Sequence, residues 1–571
     1  MDTIARLRRI RRYAVPRSMI ERGAGRRLAG DWRGACAAAG MDVEVDLADV
    51  ARLRDSEIAG RVEDALLHLV PDLVRWHAPR IEPHRTSLAP DHVLVLAEYG
   101  MDALYVTTPT WLINGPQRMV LRFGAPRRPR GEAHYCSDYT RTGFWRNLIH
   151  PWMDARHLWD DRHTAELRER CGGDAERAPF FHPDGTLRTA GELPASDPGP
   201  GDPAGHAEWV TLLHERGEVE AAFAAAGIEL TPPGPESEKF REHYTIGPYE
   251  QLARMPLALA RLEPEIRRLG GGRFQIPWTQ HAAVLLDHDG ERLRAEVLEY
   301  DAYYEMEELQ EMPMLADASW RRLPDLDLLR YGRTSPESLH PLVRDALFPE
   351  RVTSHEGPVG PPDPVLPSQV RVRCGGDWHE IVFRNGVLEI PHSTQERDRE
   401  RALLALGGEM GGCHAAVHAW TSGSGRLPRV LRELRRDVFE RARHGDTEGI
   451  VRLLDLGLDP RVRDEHGRTL LHVLHLVDHE PLLPRLLAAG VDIEAEDRFE
   501  DGAGLTALHK AVEHDGSVAL IRALLDAGAR IDLFDQGDET TLPRLIDRGN
   551  RHDLEWLRER VFEECPDLEG Y

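Results

Sequence analysis

The chain has 571 residues, which is more than one hydrophobic core usually supports, so roughly two to four domains are expected. Apolar residues make up 41% of the chain, a normal share for a globular protein that excludes wholesale disorder. The 72 basic and 97 acidic side chains give a formal net charge of −25, which argues against general nucleic-acid or anionic-membrane binding because phosphate groups would be repelled.

The distribution of cysteine and apolar residues predicts a cytoplasmic protein. The six cysteines are scattered without paired spacing, whereas a disulfide framework would be denser. No apolar run approaches the roughly 18–20 residues that span a bilayer, and residues 1–13 lack the apolar core of a secretory signal. The positive charge is almost entirely arginine, which is typical of GC-rich bacterial coding sequences.

Residues 1–182 are expected to form an α+β domain of unknown role. Residues 2–33 carry ten arginines against three acidic residues. This basic segment is interpreted as a solvated, frayed terminus, and the alternative is contact with an acidic partner or with the acidic body of the same chain. Residues 42–79 are predicted to be largely helical, and branched side chains predict successive strands at 92–99, 103–114 and 119–123.

Residues 150–163 contain the densest set of side chains that could bind a metal or take part in catalysis. On a helix, one face would be shared by His150, Asp154, His157 and Asp161. The segment matches no zinc signature, and its two tryptophans favour a half-buried amphipathic segment. The prediction is therefore no catalytic residue and no metal, and the chain also lacks a phosphate loop, a dinucleotide fingerprint and a nucleophile elbow.

Two Pro/Gly-rich stretches, residues 183–206 and 357–368, are predicted linkers. Residues 207–356 between them are expected to form a second α/β segment. Its clearest signal is Asp287-His-Asp-Gly290, which predicts a hairpin turn between two runs of branched residues.

Residues 369–426 are predicted to form a small module of a β-hairpin plus a helix, with Asn385-Gly386 as one turn and the helix over 393–406. The module contains six dispersed soft ligands, Cys374, His379, His392, Cys413, His414 and His418. A structural zinc ion is one interpretation. Because the spacing is irregular, buried free cysteines are the favoured one, and no cofactor is expected.

A repeated pattern follows. Leu-Leu-x-x-Gly occurs at 453–457, 486–490 and 524–528, so that its glycines lie 33 and 38 residues apart. Thr-x-Leu-His occurs at 469–472 and 506–509. Each such unit is too short to bury its own apolar face, so that stacking on neighbouring units is obligatory.

These motifs resemble the ankyrin repeat. The resemblance implies an all-α solenoid over residues 427–571, with capping first and last units and four units at about 436–462, 463–495, 496–533 and 534–562. The residues with a structural role in the motif are Gly457, Thr469, His472, Gly490, Thr506, His509, Gly528 and Thr540.

The resemblance also implies a surface for binding another protein, formed by the loop tips and the concave helical face. The candidate partner-binding residues are His466, Arg468, Phe499, Glu500, Asp501, Lys510, His514 and Gln536.

The chain is therefore interpreted as a non-enzymatic interaction protein. One alternative is an enzyme or toxin-like effector with its catalytic body in the N-terminal part. Another is a chain whose repeats dock on its own N-terminal body.

Overall fold

The structure is a computed structural model. It describes residues 3–80, 86–110, 115–126, 149–232, 247–279, 282–299, 312–351, 360–406, 411–498, 504–533 and 541–566. The chain falls into two compact units, which are residues 1–110 with 118–362, and residues 111–117 with 363–571. The boundary after residue 362 lies inside a predicted linker, whereas residues 183–206 lie inside the first unit. The finer domain boundaries stay predictions.

The first unit is mixed α and β. Its helices are α1 (Thr3–Tyr13), α2 (Arg17–Leu28), α3 (Trp32–Ala38), α4 (Leu47–Leu53), α5 (Ser56–Leu67), α6 (Pro71–His77), α7 (Leu167–Arg170), α8 (Pro203–Glu215), α9 (Val219–Ala225), α10 (Pro248–Arg254), α11 (Leu259–Arg268), α12 (Asp317–Trp320), α13 (Pro324–Arg330) and α14 (Pro341–Leu347). Its 3₁₀ turns are Trp152–Asp154, Arg156–Leu158, Thr164–Glu166 and Pro336–Ser338.

The strands of the first unit form two sheets. They are β1 (Met41–Val43), β2 (Val93–Tyr99), β3 (Asp102–Thr107), β4 (Met119–Gly124), β5 (Ile149–Pro151), β6 (Ile228–Leu230), β7 (Gly272–Thr279), β8 (Ala282–His288) and β9 (Leu293–Glu299). The first sheet has the order β1-β4-β3-β2-β5, with both edge strands parallel to their neighbours. The second has the order β6-β9-β8-β7 and contains the predicted hairpin as β8 and β9.

Two main apolar cores hold the first unit together. One contains side chains from residues 7–181 and from residues 323–348, so that the chain returns to its starting core. The other is built from residues 210–320, with Phe223 and Ile266 completely buried in it. The N-terminal 182 residues therefore share their core with α13 and α14.

The basic N-terminal segment is folded into this unit. Arg11 in α1 donates hydrogen bonds from Nε and Nη2 to the two carboxylate oxygens of Asp325, each at 2.8 Å. Its Nη1 donates to the carbonyl oxygen of Trp76 at 2.6 Å, and the guanidinium lies 4.6 Å from the Trp76 ring centroid. Arg27 in α2 pairs with Asp161. The expectation of a frayed terminus is wrong, because these arginines contact the acidic body of the same chain.

The second unit begins with a three-stranded antiparallel sheet in the order β10 (Val370–Cys374), β11 (Asp377–Arg384) and β12 (Val387–Glu389). Its helices are α15 (Thr394–Ala405), α16 (Gly412–Ser422), α17 (Arg429–Arg443), α18 (Thr447–Asp455), α19 (Leu483–Ala488), α20 (Ala507–Glu513), α21 (Val518–Asp526), α22 (Leu542–Arg548) and α23 (Glu555–Glu564). Two 3₁₀ segments, Leu471–Leu476 and His552–Leu554, lie among them. We call β10–β12 with α15 and α16 the β-helix module, a name that refers to its strands and α-helices and not to the parallel β-helix fold.

The remaining helical elements follow one another as four successive pairs, and their division into the four predicted units stays a prediction. The first elements of successive pairs, which are α17, the 3₁₀ segment Leu471–Leu476, α20 and α22, contact one another in chain order. The second pair begins with a 3₁₀ segment rather than an α-helix. This segment contains Leu474 and His475, at two positions where the ankyrin-repeat pattern that the sequence resembles has alanines. Both side chains are buried, and their bulk replaces the small residues that allow close helix packing.

The glycine of each Leu-Leu-x-x-Gly block ends a helix in the left-handed region. Gly457, Gly490 and Gly528 have φ angles of 98°, 76° and 97°. A Cβ atom at any of them would meet nothing within 4 Å. The backbone conformation rather than lack of space therefore requires glycine there.

Among the helices of the described residues, no helix has the length and apolar character that crossing a membrane requires.

We expect the substitution Asp325→Ala to lower the free energy of unfolding of the first unit by about 3–5 kcal/mol, because it leaves the buried Arg11 guanidinium without its counter-ion. Urea unfolding of the full chain, followed by hydrogen exchange in peptides of α1 and α13, measures the change. Asp49→Asn is the control, since Asp49 forms an exposed pair with Arg52. Equal stability of the two variants would show that the buried pair contributes little.

Candidate protein-interaction surface

A threonine and a histidine tie the first element of each central pair to the stretch of chain that precedes the first element of the next pair. Thr506 precedes α20, and its Oγ1 lies 2.8 Å from Nδ1 of His509. The His509 Nε2 atom lies 3.1 Å from the carbonyl oxygen of Leu533, which can only accept a hydrogen bond. Nε2 is therefore the protonated nitrogen, and Nδ1 accepts from the threonine hydroxyl. The preceding unit repeats this arrangement, with distances of 2.9 and 3.1 Å among Thr469, His472 and Leu505.

Burial keeps these histidines neutral. It lowers the pKa of His472 to about 4 and that of His509 to about 4. A neutral ring with one donor and one acceptor is the form that the contacts require. Each bridge reaches towards the next pair of helices, since Leu505 precedes α20 and Leu533 precedes α22 in the chain.

A threonine caps α22, the first helix of the fourth pair. Thr541 is the N-cap of α22, and its side chain accepts a hydrogen bond from the backbone N–H of Arg544 at 3.5 Å. Thr540 lies outside the described residues. The N-cap position therefore belongs to Thr541, and Pro543 occupies the first turn that follows it.

Two buried carboxylates organise the loops that precede the first helices. Asp464 Oδ1 accepts hydrogen bonds from the backbone N–H groups of His466 and Arg468, each at 2.9 Å. Asp497 Oδ1 accepts from the backbone N–H of Leu505 at 2.7 Å. These carboxylates satisfy backbone donors that would otherwise be unpaired, and so they fix the loop conformations.

Charged side chains meet on the surface of α20 and α22. Glu513 lies 3.1 Å from Nζ of Lys510, 3.2 Å from Nε2 of His514 and 3.3 Å from Nη2 of Arg548. The His514 ring lies 5.3 Å from that of His475. We call Glu513, Lys510, His514, Arg548 and His475 the Glu513 cluster.

Burial and neighbouring cations keep the His514 ring neutral. Burial, together with the charges of Lys510, Arg468 and Arg548, lowers the pKa of His514 to about 3. Each of these cations also has a carboxylate partner, since Lys510 lies 3.4 Å from Asp497, Arg468 lies 2.7 Å from Asp464 and Arg548 lies 3.3 Å from Glu513.

A family model described as ankyrin repeats matches residues 439–535 in three copies. The C-terminal part of the chain carries ankyrin repeats. No family model matches the rest of the chain. The match includes both Thr-x-Leu-His motifs and their histidine bridges.

The predicted partner-binding residues of the ankyrin repeats have different environments. His466 is exposed, and Arg468 is tied to Asp464 at 2.7 Å. Lys510 is buried, and its Nζ lies 3.4 Å from Asp497 as well as near Glu513, so that it supports the loop instead of projecting from it. The remaining predicted residues lie outside the described part of the chain, namely Phe499, Glu500, Asp501 and Gln536.

The β-helix module covers part of the loop side of the ankyrin repeats. The backbone N–H of Leu388 donates to Asp459 at 3.1 Å, and the Trp420 indole N–H donates to the Asp459 carbonyl oxygen at 3.3 Å. Arg498, near the next loop, donates to the carbonyl oxygen of Ser422 at 2.8 Å. The module and the repeats also share one apolar core. Sequence reasoning missed this contact, since it runs through backbone groups.

The ligand-rich segment 150–163 is not a helix. It consists of β5 and 3₁₀ turns, so that its residues do not share one face. His150 is buried against His92, with their rings stacked at 4.9 Å. His157 is also buried, whereas Asp154 is exposed. The two aspartates, Asp160 and Asp161, are held by Arg162 and Arg27, and His163 lies 2.7 Å from Glu166.

The two buried histidines of that segment line a cavity of about 100 Å³ in the first unit. Among the described residues, five arginines and three histidines line it against one aspartate, which are Arg11, Arg80, Arg261, Arg321, Arg322, His77, His150, His157 and Asp317. Several of their buried nitrogens have no hydrogen-bond partner within the described part of the chain, namely Arg80 Nε, Arg261 Nε, Arg322 Nη1, His77 Nε2 and His157 Nδ1. Burial and the neighbouring arginines lower the pKa of Arg80 and of His157.

We expect the ankyrin repeats to lose stability as pH falls from about 6.5 towards 4. The folded-state pKa of His509 is depressed to about 4, so the unfolded chain takes up the proton first and is stabilised by it. The slope per histidine is about 1.4 kcal/mol per pH unit. His509→Gln should reduce the slope, as measured by urea-dependent hydrogen exchange over residues 504–533 at pH 7, 6 and 5.

The matched control for this measurement is His466→Gln, because His466 is exposed. It should keep the slope of the unmodified chain. An unchanged slope in the His509 variant would contradict the assignment of a buried neutral imidazole.

Proposed function

We propose that this chain is a cytoplasmic interaction protein whose ankyrin repeats bind another protein. Ankyrin repeats generally mediate protein–protein interaction, and the repeats here are the part of the chain that a family model matches. The proposed binding surface joins the Glu513 cluster to residues that precede α20 and α22 in the chain. It includes His466 and also Phe499, Glu500, Asp501 and Gln536, which lie outside the described residues.

The charge of the Glu513 cluster supports an acidic contact on the partner. Two of the cations that lower the pKa of His514, Lys510 and Arg468, have buried carboxylate partners in Asp497 and Asp464. The third, Arg548, pairs with Glu513, and a carboxylate from a partner would form a further charge-assisted hydrogen bond with its guanidinium. Arg548 is the most accessible of these cations, with 67% of its side chain exposed.

A second candidate function rests on the cavity in the first unit. Arg11, Arg261 and Arg322 have carboxylate partners in Asp325, Glu265 and Asp327. The buried nitrogens without a hydrogen-bond partner among the described residues nevertheless favour binding of a small anion such as a phosphate. This supports the alternative in which the N-terminal body acts on or senses a small anionic ligand and the ankyrin repeats direct it to a protein.

We expect Arg548→Glu to weaken partner binding at least tenfold, which corresponds to about 1.4 kcal/mol. Affinity capture with the full chain, followed by mass spectrometry, identifies the partner, and calorimetry with the purified partner measures the affinity. Arg485→Glu is the matched control, because Arg485 lies on the second helix of its unit with 46% of its side chain exposed. Equal affinities of both variants would place the binding surface elsewhere.

For the cavity, we expect inorganic phosphate to bind the full chain in calorimetry, and Arg261→Gln to weaken this binding at least tenfold. Arg261 lines the cavity, whereas Arg268 of the same helix, α11, is about half exposed. Arg268→Gln is therefore the control and should bind phosphate as the unmodified chain does. Absence of phosphate binding to the unmodified chain would remove this candidate.

A further inference from the structure

Two cysteines and two histidines converge in the β-helix module. Cys374 ends β10, His379 lies in β11, His392 follows β12, and Cys413 lies in the first turn of α16. One ligand atom from each side chain lies within 4.8 Å of the other three. Residues that are 39 positions apart in sequence thus face a common point.

The distances between these atoms match the edges of a tetrahedron around a zinc ion. Nδ1 of His379 and Nε2 of His392 are 3.2 Å apart. Cys374 Sγ lies 3.6 Å from His392 Nε2, and Cys413 Sγ lies 3.5 Å from His379 Nδ1. Tetrahedral bonds of about 2.0 Å to nitrogen and about 2.3 Å to sulfur would separate two nitrogens by about 3.3 Å and a nitrogen from a sulfur by about 3.5 Å.

The backbone is shaped to bring the sulfur atoms together. Gly412, immediately before Cys413, has a φ of 55°, and a Cβ atom there would lie 2.4 Å from the Cys374 sulfur. Only glycine therefore lets the start of α16 approach the end of β10 so closely. The turn between β10 and β11 is Gly375-Gly376, whose φ angles of 62° and 102° place Cys374 opposite Asp377 in the ladder.

The surroundings of the cluster resemble the outer shell of a metal site. His392 uses Nε2 toward the cluster, and its Nδ1 lies 3.9 Å from the carboxylate of Glu396. That carboxylate is fixed by hydrogen bonds from the backbone N–H and the hydroxyl of Ser393, at 2.7 and 2.8 Å. A carboxylate on the far nitrogen orients a histidine ligand and raises its basicity.

We propose that Cys374, His379, His392 and Cys413 bind a structural zinc ion. Two thiolates and two neutral imidazoles form a complete tetrahedral set, which leaves no position for a substrate and so assigns a structural role. The ion would join the β10–β11 hairpin and the loop after β12 to α16. His414, whose ring lies 4.9 Å from that of His392, packs beside the site. This assignment replaces the expectation of free thiols and no metal at these residues.

The proposed zinc would also support the contact between the module and the ankyrin repeats. α16 carries Trp420 and Ser422, which bind the loops at Asp459 and Arg498. Without the ion, α16 would be held to the hairpin by apolar packing and by the contact of Cys413 with His379.

The test is the zinc content of the full chain, purified after growth with added zinc and measured by inductively coupled plasma mass spectrometry. About one zinc per chain is expected for the unmodified protein and at least a tenfold lower content for Cys374→Ser and for Cys413→Ser. Cys565→Ser is the matched control and should keep its zinc, since Cys565 lies outside the cluster. A zinc content near zero in the unmodified protein, or an unchanged content in the cluster variants, would overturn the proposal.

A second measurement keeps the proposal testable if the variants do not fold. Removing metal from the unmodified full chain with a chelator should increase hydrogen exchange in α16 and in the β10–β11 hairpin, and added zinc should reverse the increase. Cobalt(II) in the same site should give the visible spectrum of a tetrahedral ion with thiolate ligands. Six reactive thiols without bound metal would indicate hydrogen-bonded thiols, and four would indicate a Cys374–Cys413 disulfide, so that either result contradicts the zinc site.

Discussion

The second unit depends on the fact that none of its short repeat helices can bury its apolar face alone. A completely buried leucine, such as Leu453, Leu486 or Leu524, contributes about 1.5–3 kcal/mol only when a neighbouring unit covers it. The side chains of all four helical pairs therefore join one continuous core, which extends into the β-helix module. This stacking also sets the positions of the histidine bridges and of the Glu513 cluster.

The histidine bridges make the stacking directional. Apolar packing alone does not fix how one unit is aligned with its neighbour. The hydrogen bonds from Nε2 of His472 and of His509 do, because each reaches one particular carbonyl oxygen further along the chain, that of Leu505 or Leu533. The same units hold their loops with buried carboxylates and present the Glu513 cluster on the adjoining helical surface. The position of the proposed binding surface thus follows from how the units are joined.

The sequence predicted well the features that neighbouring residues determine. It predicted poorly the sites that residues from distant parts of the chain form together. The Leu-Leu-x-x-Gly blocks and the strands β8 to β12 carry periodic apolar residues and turn signals, so that they could be placed in advance. Residues 150–163 show the limit, because a helical ligand face was one interpretation of a segment that tertiary packing folds as a strand and 3₁₀ turns. The four-residue cluster at Cys374–Cys413 has no regular spacing, since a hairpin, a loop and a helix supply its members. Pairings such as that of Arg11 with Asp325 join residues more than 300 positions apart, and a single sequence holds no sign of them.

The common core has a consequence for how this protein can be divided. Leu431 and Leu434 of α17 pack in the same cluster as Ile381, Leu388 and Trp420 of the module. A fragment that begins at residue 427 would expose these apolar side chains of α17 to water. It would also lack Leu388 and Trp420, which donate hydrogen bonds to Asp459. A fragment that is meant to keep the packing of the ankyrin repeats therefore has to begin before Val370, the first residue of β10.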